Sequence, residues 1–140
     1  MQRKGSAMWK GGLKDGAGQV STASGGLTAA PYTFASRFES GGKTDPEELI
    51  AAAHAACFSM ALSGQLGAAD MKPESIATTA TVTLEKQDAG FTVTAVHLAV
   101  TAKVPGADRA AFDKAAQNAK AGCPISRLLN AKITMQATLE

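Results

Sequence analysis

Aromatic side chains are scarce in this sequence: one Trp, one Tyr and five Phe among 140 residues. The net charge is only +2, and the Lys and Arg residues are scattered along the chain. Without a basic run or interleaved aromatics there is no footprint for nucleic acid. There are just two cysteines, which excludes a disulfide scaffold. No Cys-x-x-Cys, Gly-rich phosphate loop or Gly-x-Ser-x-Gly elbow occurs. Four potential zinc ligands, His54, Cys57, His97 and Cys123, lack the close paired spacing of a structural zinc site. No apolar stretch follows the basic start MQRKGSAMWKGG, so a secretory signal is not expected and the cytoplasm is. Internal repeats and low-complexity linkers are also missing, which predicts one domain over residues 1–140.

What is present reads as α+β. Turn signals at Lys14-Asp15-Gly16 and Ser24-Gly25-Gly26 divide the first forty residues into a meander of short strands. Tyr32, Phe34, Ser36 and Phe38 alternate with Thr33, Ala35, Arg37 and Glu39, which predicts a strand with Arg37 turned away from its aromatic face. Asp45, Pro46 and Glu48 then form a helix start of the capping-box kind. The acids Glu47 and Glu48 also sit where the helix dipole favours negative charge. That helix is expected to run to about Gly67. It is apolar nearly all round and so calls for cover on several sides. Its run from Leu49 to Leu66 is long enough for a bilayer, but it is mostly alanine and carries His54, Ser59, Ser63, Gly64 and Gln65. A buried helix of a soluble protein fits it better than a membrane span.

Two strands flank the Asp88-Ala89-Gly90 turn, with a slip in apolar phase between Val93 and Val96 that predicts a bulge. An amphipathic helix follows, burying Phe112, Ala115, Ala116 and Ala119 and closing at Gly122. Cys123-Pro124 opens a short helix, Ile125 to Leu129. A last strand alternates Ile133, Met135, Ala137 and Leu139.

The two thiols admit a bland reading and a reactive one. Either can be a small buried hydrophobe. Cys57 has His54 three residues back on the same helix face, where a histidine can tune a thiol or simply pack. Cys123 stands at a helix start, where free N–H groups favour negative sulfur, or it merely marks a corner between helices. Arg37 could be a solvated residue paired with Glu39, and Glu47 only a helix-start acid.

Taken together, Arg37-Phe38-Glu39, Pro46-Glu47-Glu48-Leu49, His54-Ala55-Ala56-Cys57-Phe58 and Gly122-Cys123-Pro124 resemble the OsmC/Ohr family of osmotically inducible and organic hydroperoxide resistance proteins. The likeness covers nearly the whole chain and is nearer the OsmC branch. It implies an intertwined α+β homodimer: an N-terminal meander, a long central buried helix, and a second sheet with further helices. It also implies a thiol peroxidase without metal or haem, acting on organic hydroperoxides and taking electrons from a dithiol, typically a dihydrolipoyl group. By matched motif, Cys57 is the peroxidatic cysteine, Cys123 the resolving one, and Arg37 and Glu47 their polar partners. The resemblance thereby implies that Arg37 lowers the Cys57 pKa. Low aromatic content and many alanines leave room for an apolar pocket. Two other readings stand beside this one: a non-enzymatic stress-protection or binding protein, and a thiol hydrolase or acyltransferase using Cys57 with His54.

Helix geometry bears on the assembly. Glu47 and Cys57 are ten residues apart, about 15 Å along an unbroken axis and about 80° around it. The intervening sequence has no Gly or Pro, so a break is disfavoured. The carboxylate therefore cannot join an arginine that touches the sulfur of its own helix. A two-fold homodimer is expected, with sites that combine Arg37 and Glu47 of one subunit with Cys57 and Cys123 of the other.

Overall fold

Three short strands open the chain: β1 (Gly5–Lys10), β2 (Ala17–Thr22) and β3 (Ala30–Thr33). They form an antiparallel sheet in the order β1-β2-β3, and both expected turn segments fall between strands. The computed structural model describes residues 1–39 and 41–140. It divides into two compact units, Met1–Leu49 and Ile50–Glu140.

In the first unit the sheet's centre is aromatic. Trp9 and Tyr32 pack with ring centroids 5.4 Å apart, flanking Gly18 of the middle strand. A Cβ on Gly18 would come within 2.5 Å of Tyr32 and 2.8 Å of Trp9, so only glycine fits between the rings.

The strand expected over Tyr32–Glu39 is not formed beyond Thr33. Phe34–Phe38 is instead a short helix, α1. Its start is a capping box: the Ser36 N–H donates to Thr33 Oγ1 (3.1 Å), and the Thr33 N–H donates to Ser36 Oγ (2.9 Å). These bonds satisfy N–H groups that a strand would have offered to a neighbour. Phe34 and Phe38, four residues apart, stack at 4.8 Å on one helix face. Arg37 therefore leaves a helix, beside the Phe38 ring.

The next helix, α2, runs unbroken from Pro46 to Ala68. Asp45 caps it as expected, its Oδ1 accepting from the Glu48 N–H at 2.8 Å. The helix begins in the first unit and continues through the second.

The second unit is built on the sheet β4 (Ser75–Gln87), β5 (Gly90–Lys103) and β6 (Lys132–Leu139), in that order. β4 and β5 are an antiparallel hairpin turning at Gly90, whose φ of 122° suits a residue without a side chain. Thr83 faces Ala95 while Leu84 faces Val93, leaving Thr94 unopposed. This is the bulge that the phase slip predicts. β6 lies parallel to β5 because α3 (Arg109–Gly122) and α4 (Pro124–Leu128) carry the chain back across. α3 buries Phe112, Ala115, Ala116 and Ala119, the four residues expected. They join Phe58, Leu62 and Leu66 of α2 and Val96, Leu98 and Val100 of β5 in one core.

α2 departs from its expected burial. Only His54, Phe58, Leu62 and Leu66 are buried, a stripe at four-residue spacing. Within the chain just 22% of its apolar 18-residue window is buried, and Met60 stands 78% exposed. By length and composition alone this helix could cross a membrane. However, its largest apolar side chains are spent on the β-sheet core, and it carries Glu47, Glu48, His54 and Gln65.

Candidate active site

The thiols meet. Cys57 lies in the middle of α2, and Cys123 occupies the single residue between α3 and α4, as C-cap of one and N-cap of the other. The corner and the thiol site are thus the same residue. Both cysteines are free, with Sγ atoms 2.7 Å apart, although 66 positions separate them in sequence. Cys123 is fully buried and Cys57 half-buried, so the surface reaches the pair through Cys57.

Among the described residues, the groups that shift the Cys57 thiol include no cation. Burial, and then the hydrogen bond shared with Cys123, push that thiol above the ordinary range, while the Ile125 backbone N–H pulls the other way. The free N–H group at the start of α4 therefore serves the sulfur of Cys57, and not that of Cys123 as its sequence position suggests.

Arg37 and Glu47 meet within the first unit. Arg37 Nε donates to Glu47 Oε2 (3.1 Å) and Nη2 to Oε1 (2.8 Å), a two-point fork. Glu47, whose side chain is 13% exposed, holds the arginine and raises its already high pKa, while Arg37 keeps 38% of its side chain exposed. Local structure sets this geometry. The buried Ser36 Oγ donates within 2.9 Å of the Thr44 carbonyl, which ties α1 to the segment just before α2. Beside the guanidinium is an apolar cavity of about 280 Å³, walled by Trp9, Leu13, Tyr32, Phe34 and Phe38.

His54 is fully buried, and its Nε2 lies 2.7 Å from Ser126 Oγ on α4. Nδ1 has no partner. Burial lowers the His54 pKa. The ring therefore engages a serine and not the thiol, which removes the support for a Cys57–His54 hydrolase. His97 Nδ1 is likewise 2.7 Å from Thr134 Oγ1. Among the described residues no group of three His, Cys, Asp or Glu side chains converges.

Sequence reasoning missed Ser126 and the aromatic cavity wall. Ser126 is three residues after Cys123, as His54 is three before Cys57, a symmetry visible only once the two thiols are paired. The cavity wall depends on Phe34 and Phe38 sharing a helix face, which the strand reading separated from the cap that makes the helix.

The sequence model of the family described as OsmC-like protein matches residues 39–138. Peroxiredoxin OsmC of Escherichia coli (strain K12) is 54% identical over 140 residues, covering 100% of this chain and 98% of that protein. Among solved structures, an OsmC-like protein from Mycoplasma pneumoniae superposes with a TM-score of 0.78 at 14% identity, over 99% of this chain and 97% of that one. The organic hydroperoxide resistance protein OhrB of Bacillus subtilis gives 0.68 at 21% identity, over 98% of each chain. At these identities the two structures establish the α+β fold.

Proposed function

This chain belongs to the OsmC-like protein family, and on that basis we propose that it is a cysteine-based peroxidase reducing organic hydroperoxides. The carrying observation is the free thiol pair, half-exposed Cys57 against buried Cys123 at 2.7 Å. The 54% identity to a peroxiredoxin over the whole chain supports the same activity.

The chemistry follows from the pair. The Cys57 thiolate attacks the outer peroxide oxygen, the O–O bond breaks, and the alkoxide leaves as alcohol after taking a proton. Cys57 is left as a sulfenic acid. Cys123 then condenses with it, releasing water and forming a disulfide, which forestalls irreversible sulfinic acid. A dithiol of the dihydrolipoyl kind reduces the disulfide by exchange. Arg37 stabilises the thiolate and the charge developing on the peroxide oxygens, and Glu47 holds it in place. The apolar cavity beside Arg37 suits the hydrocarbon part of an organic hydroperoxide better than hydrogen peroxide.

The active form is a homodimer. α2 is unbroken, so Glu47 stands about 15 Å along the axis from Cys57. Among the described residues of its own chain no cation shifts Cys57, and the apolar helix surface lies uncovered. A second copy answers all three: its Arg37–Glu47 fork completes the thiol site and its apolar surface covers α2. Each chain is then one OsmC-like domain of a soluble, cytoplasmic dimer whose thiols are kept reduced.

The test is peroxide consumption with tert-butyl hydroperoxide and dihydrolipoamide. The wild type should turn over continuously and Cys57→Ser should not. Equal rates for the two proteins refute the assignment.

A further inference from the structure

We propose that His54 and Ser126 are a positioning pair that sets how fast Cys123 captures oxidised Cys57. The inference rests on the roles given above to the two cysteines. It starts from a register. One turn before Cys57 on α2 is His54, and one turn after Cys123 at α4 is Ser126. The thiols touch at 2.7 Å, and so do the ring and the hydroxyl. The two contacts are successive rungs between helices that run past each other. The polar rung fixes the rotation of α4, and with it the direction of the Cys123 sulfur.

Besides the Ile125 N–H on the Cys57 sulfur and its junction with α3 at Cys123, α4 has little to fix it. It is five residues long, its N-cap residue makes no side-chain cap bond, and Leu128 is 75% exposed. The rung itself is buried: His54 is 0% and Ser126 9% exposed. Keeping a histidine there is costly, because Nδ1 is buried without a partner. An apolar residue of similar size would pack without that penalty but could not orient a helix. Ring and hydroxyl can each donate, so the rung holds in either tautomer of the ring.

The step at stake is the condensation. The S–O bond of the Cys57 sulfenic acid breaks, the S–S bond forms, and the Cys123 proton leaves with the hydroxyl as water. A second peroxide competes for the same sulfenic acid and oxidises it to sulfinic acid. The partition depends on how often the Cys123 sulfur is aimed correctly. Loosening the rung should slow disulfide formation and leave the first oxidation of Cys57 unchanged.

Rapid mixing with tert-butyl hydroperoxide, thiol quenching and intact-mass analysis resolves the two steps. In Ser126→Ala, Cys57 should be oxidised at the wild-type rate, while the disulfide forms about tenfold more slowly, the weight of one buried hydrogen bond. Sulfinic acid should accumulate under excess peroxide. Ser126→Thr, which keeps the hydroxyl, should restore the wild-type partition. Wild-type disulfide kinetics in Ser126→Ala would overturn the proposal, as would equal slowing of both steps or a Thr variant no better than Ala. A wild-type protein that forms no Cys57–Cys123 disulfide would instead overturn the underlying assignment of the cysteines.

Discussion

Cys123 Sγ lies 2.7 Å from Cys57 Sγ while both residues remain free thiols. A disulfide needs about 2.05 Å, so the two sulfurs have less than about 1 Å left to close. The pair is also unequal. Cys123 has no exposed surface, whereas Cys57 is half-buried. An oxidant arriving from solvent would meet Cys57 first, with the Cys123 sulfur already beside it.

The unequal exposure predicts unequal mutants. Cys57→Ser should lose peroxide reduction altogether. Cys123→Ser should perform about one turnover and then stop, with Cys57 held as sulfenic acid or oxidised further. Intact mass after one equivalent of peroxide distinguishes them: a single added oxygen in the second variant and none in the first. Sustained turnover by Cys123→Ser would show that Cys123 does not resolve.

The thiol pKa should report the arginine. Within one chain, burial and Cys123 hold Cys57 above the ordinary thiol range, a direction that disfavours the nucleophilic form. Supply of the Arg37 guanidinium by a partner reverses that bias. Alkylation of Cys57 followed against pH should therefore have its midpoint at least about one unit lower in the wild type than in Arg37→Met. Superimposable profiles would remove Arg37 from the site.

Much of this could be seen in the residues before folding, and the exceptions share a cause. The bulge at Thr94 and the buried face of α3 were legible because period-2 and period-3.6 patterns ran long enough to show their phase. Arg37, Glu47, Cys57 and Cys123 stood out as a set through the resemblance of their motifs to the OsmC/Ohr family, while local pattern alone left each with a bland reading. The strand assigned to Tyr32–Glu39 failed because Phe34 and Phe38 fit either period over so short a stretch. The deciding signal was the Thr33-x-x-Ser36 cap. Ser126 was invisible because its role depends on a contact across 72 positions. The burial of α2 was overstated for one chain because an all-round apolar helix says that cover is needed, not which molecule supplies it.

His54 should leave a mark on stability against pH. Burial lowers its pKa in the fold, so below the ordinary His value of about 6.5 the unfolded chain takes up a proton that the folded chain refuses. Its contribution is therefore complete above that value and is lost as pH falls from about 6.5 toward the lowered folded pKa. Thermal melts of wild type and His54→Gln between pH 7.5 and 5, about the range set by that pKa, should show a shallower decline in the variant. Parallel curves would mean that folding leaves the His54 pKa unshifted.

The last prediction concerns where one site ends and its copy begins. Arg37 and Glu47 form a complete fork, yet Glu47 starts an unbroken helix and Cys57 lies ten residues along it, about 15 Å on the axis and about 80° around. Met60 and Ala52, Ala53 and Ala56 of α2 face outward, a surface that a second copy would bury. If sites are shared between chains, two different inactive parents should complement each other. Cys57→Ser lacks the nucleophile but keeps Arg37 and Glu47, and Glu47→Ala keeps both thiols but loses the residue that orients the arginine. A mixed dimer contains one site with both defects and one with neither. Mixing the parents and allowing subunit exchange should restore up to about one quarter of wild-type activity at equal amounts, since half of randomly paired dimers are mixed and each has one good site. Native mass spectrometry would establish that exchange has occurred. Parents that stay inactive after proven exchange would place all four residues of a site in the same chain.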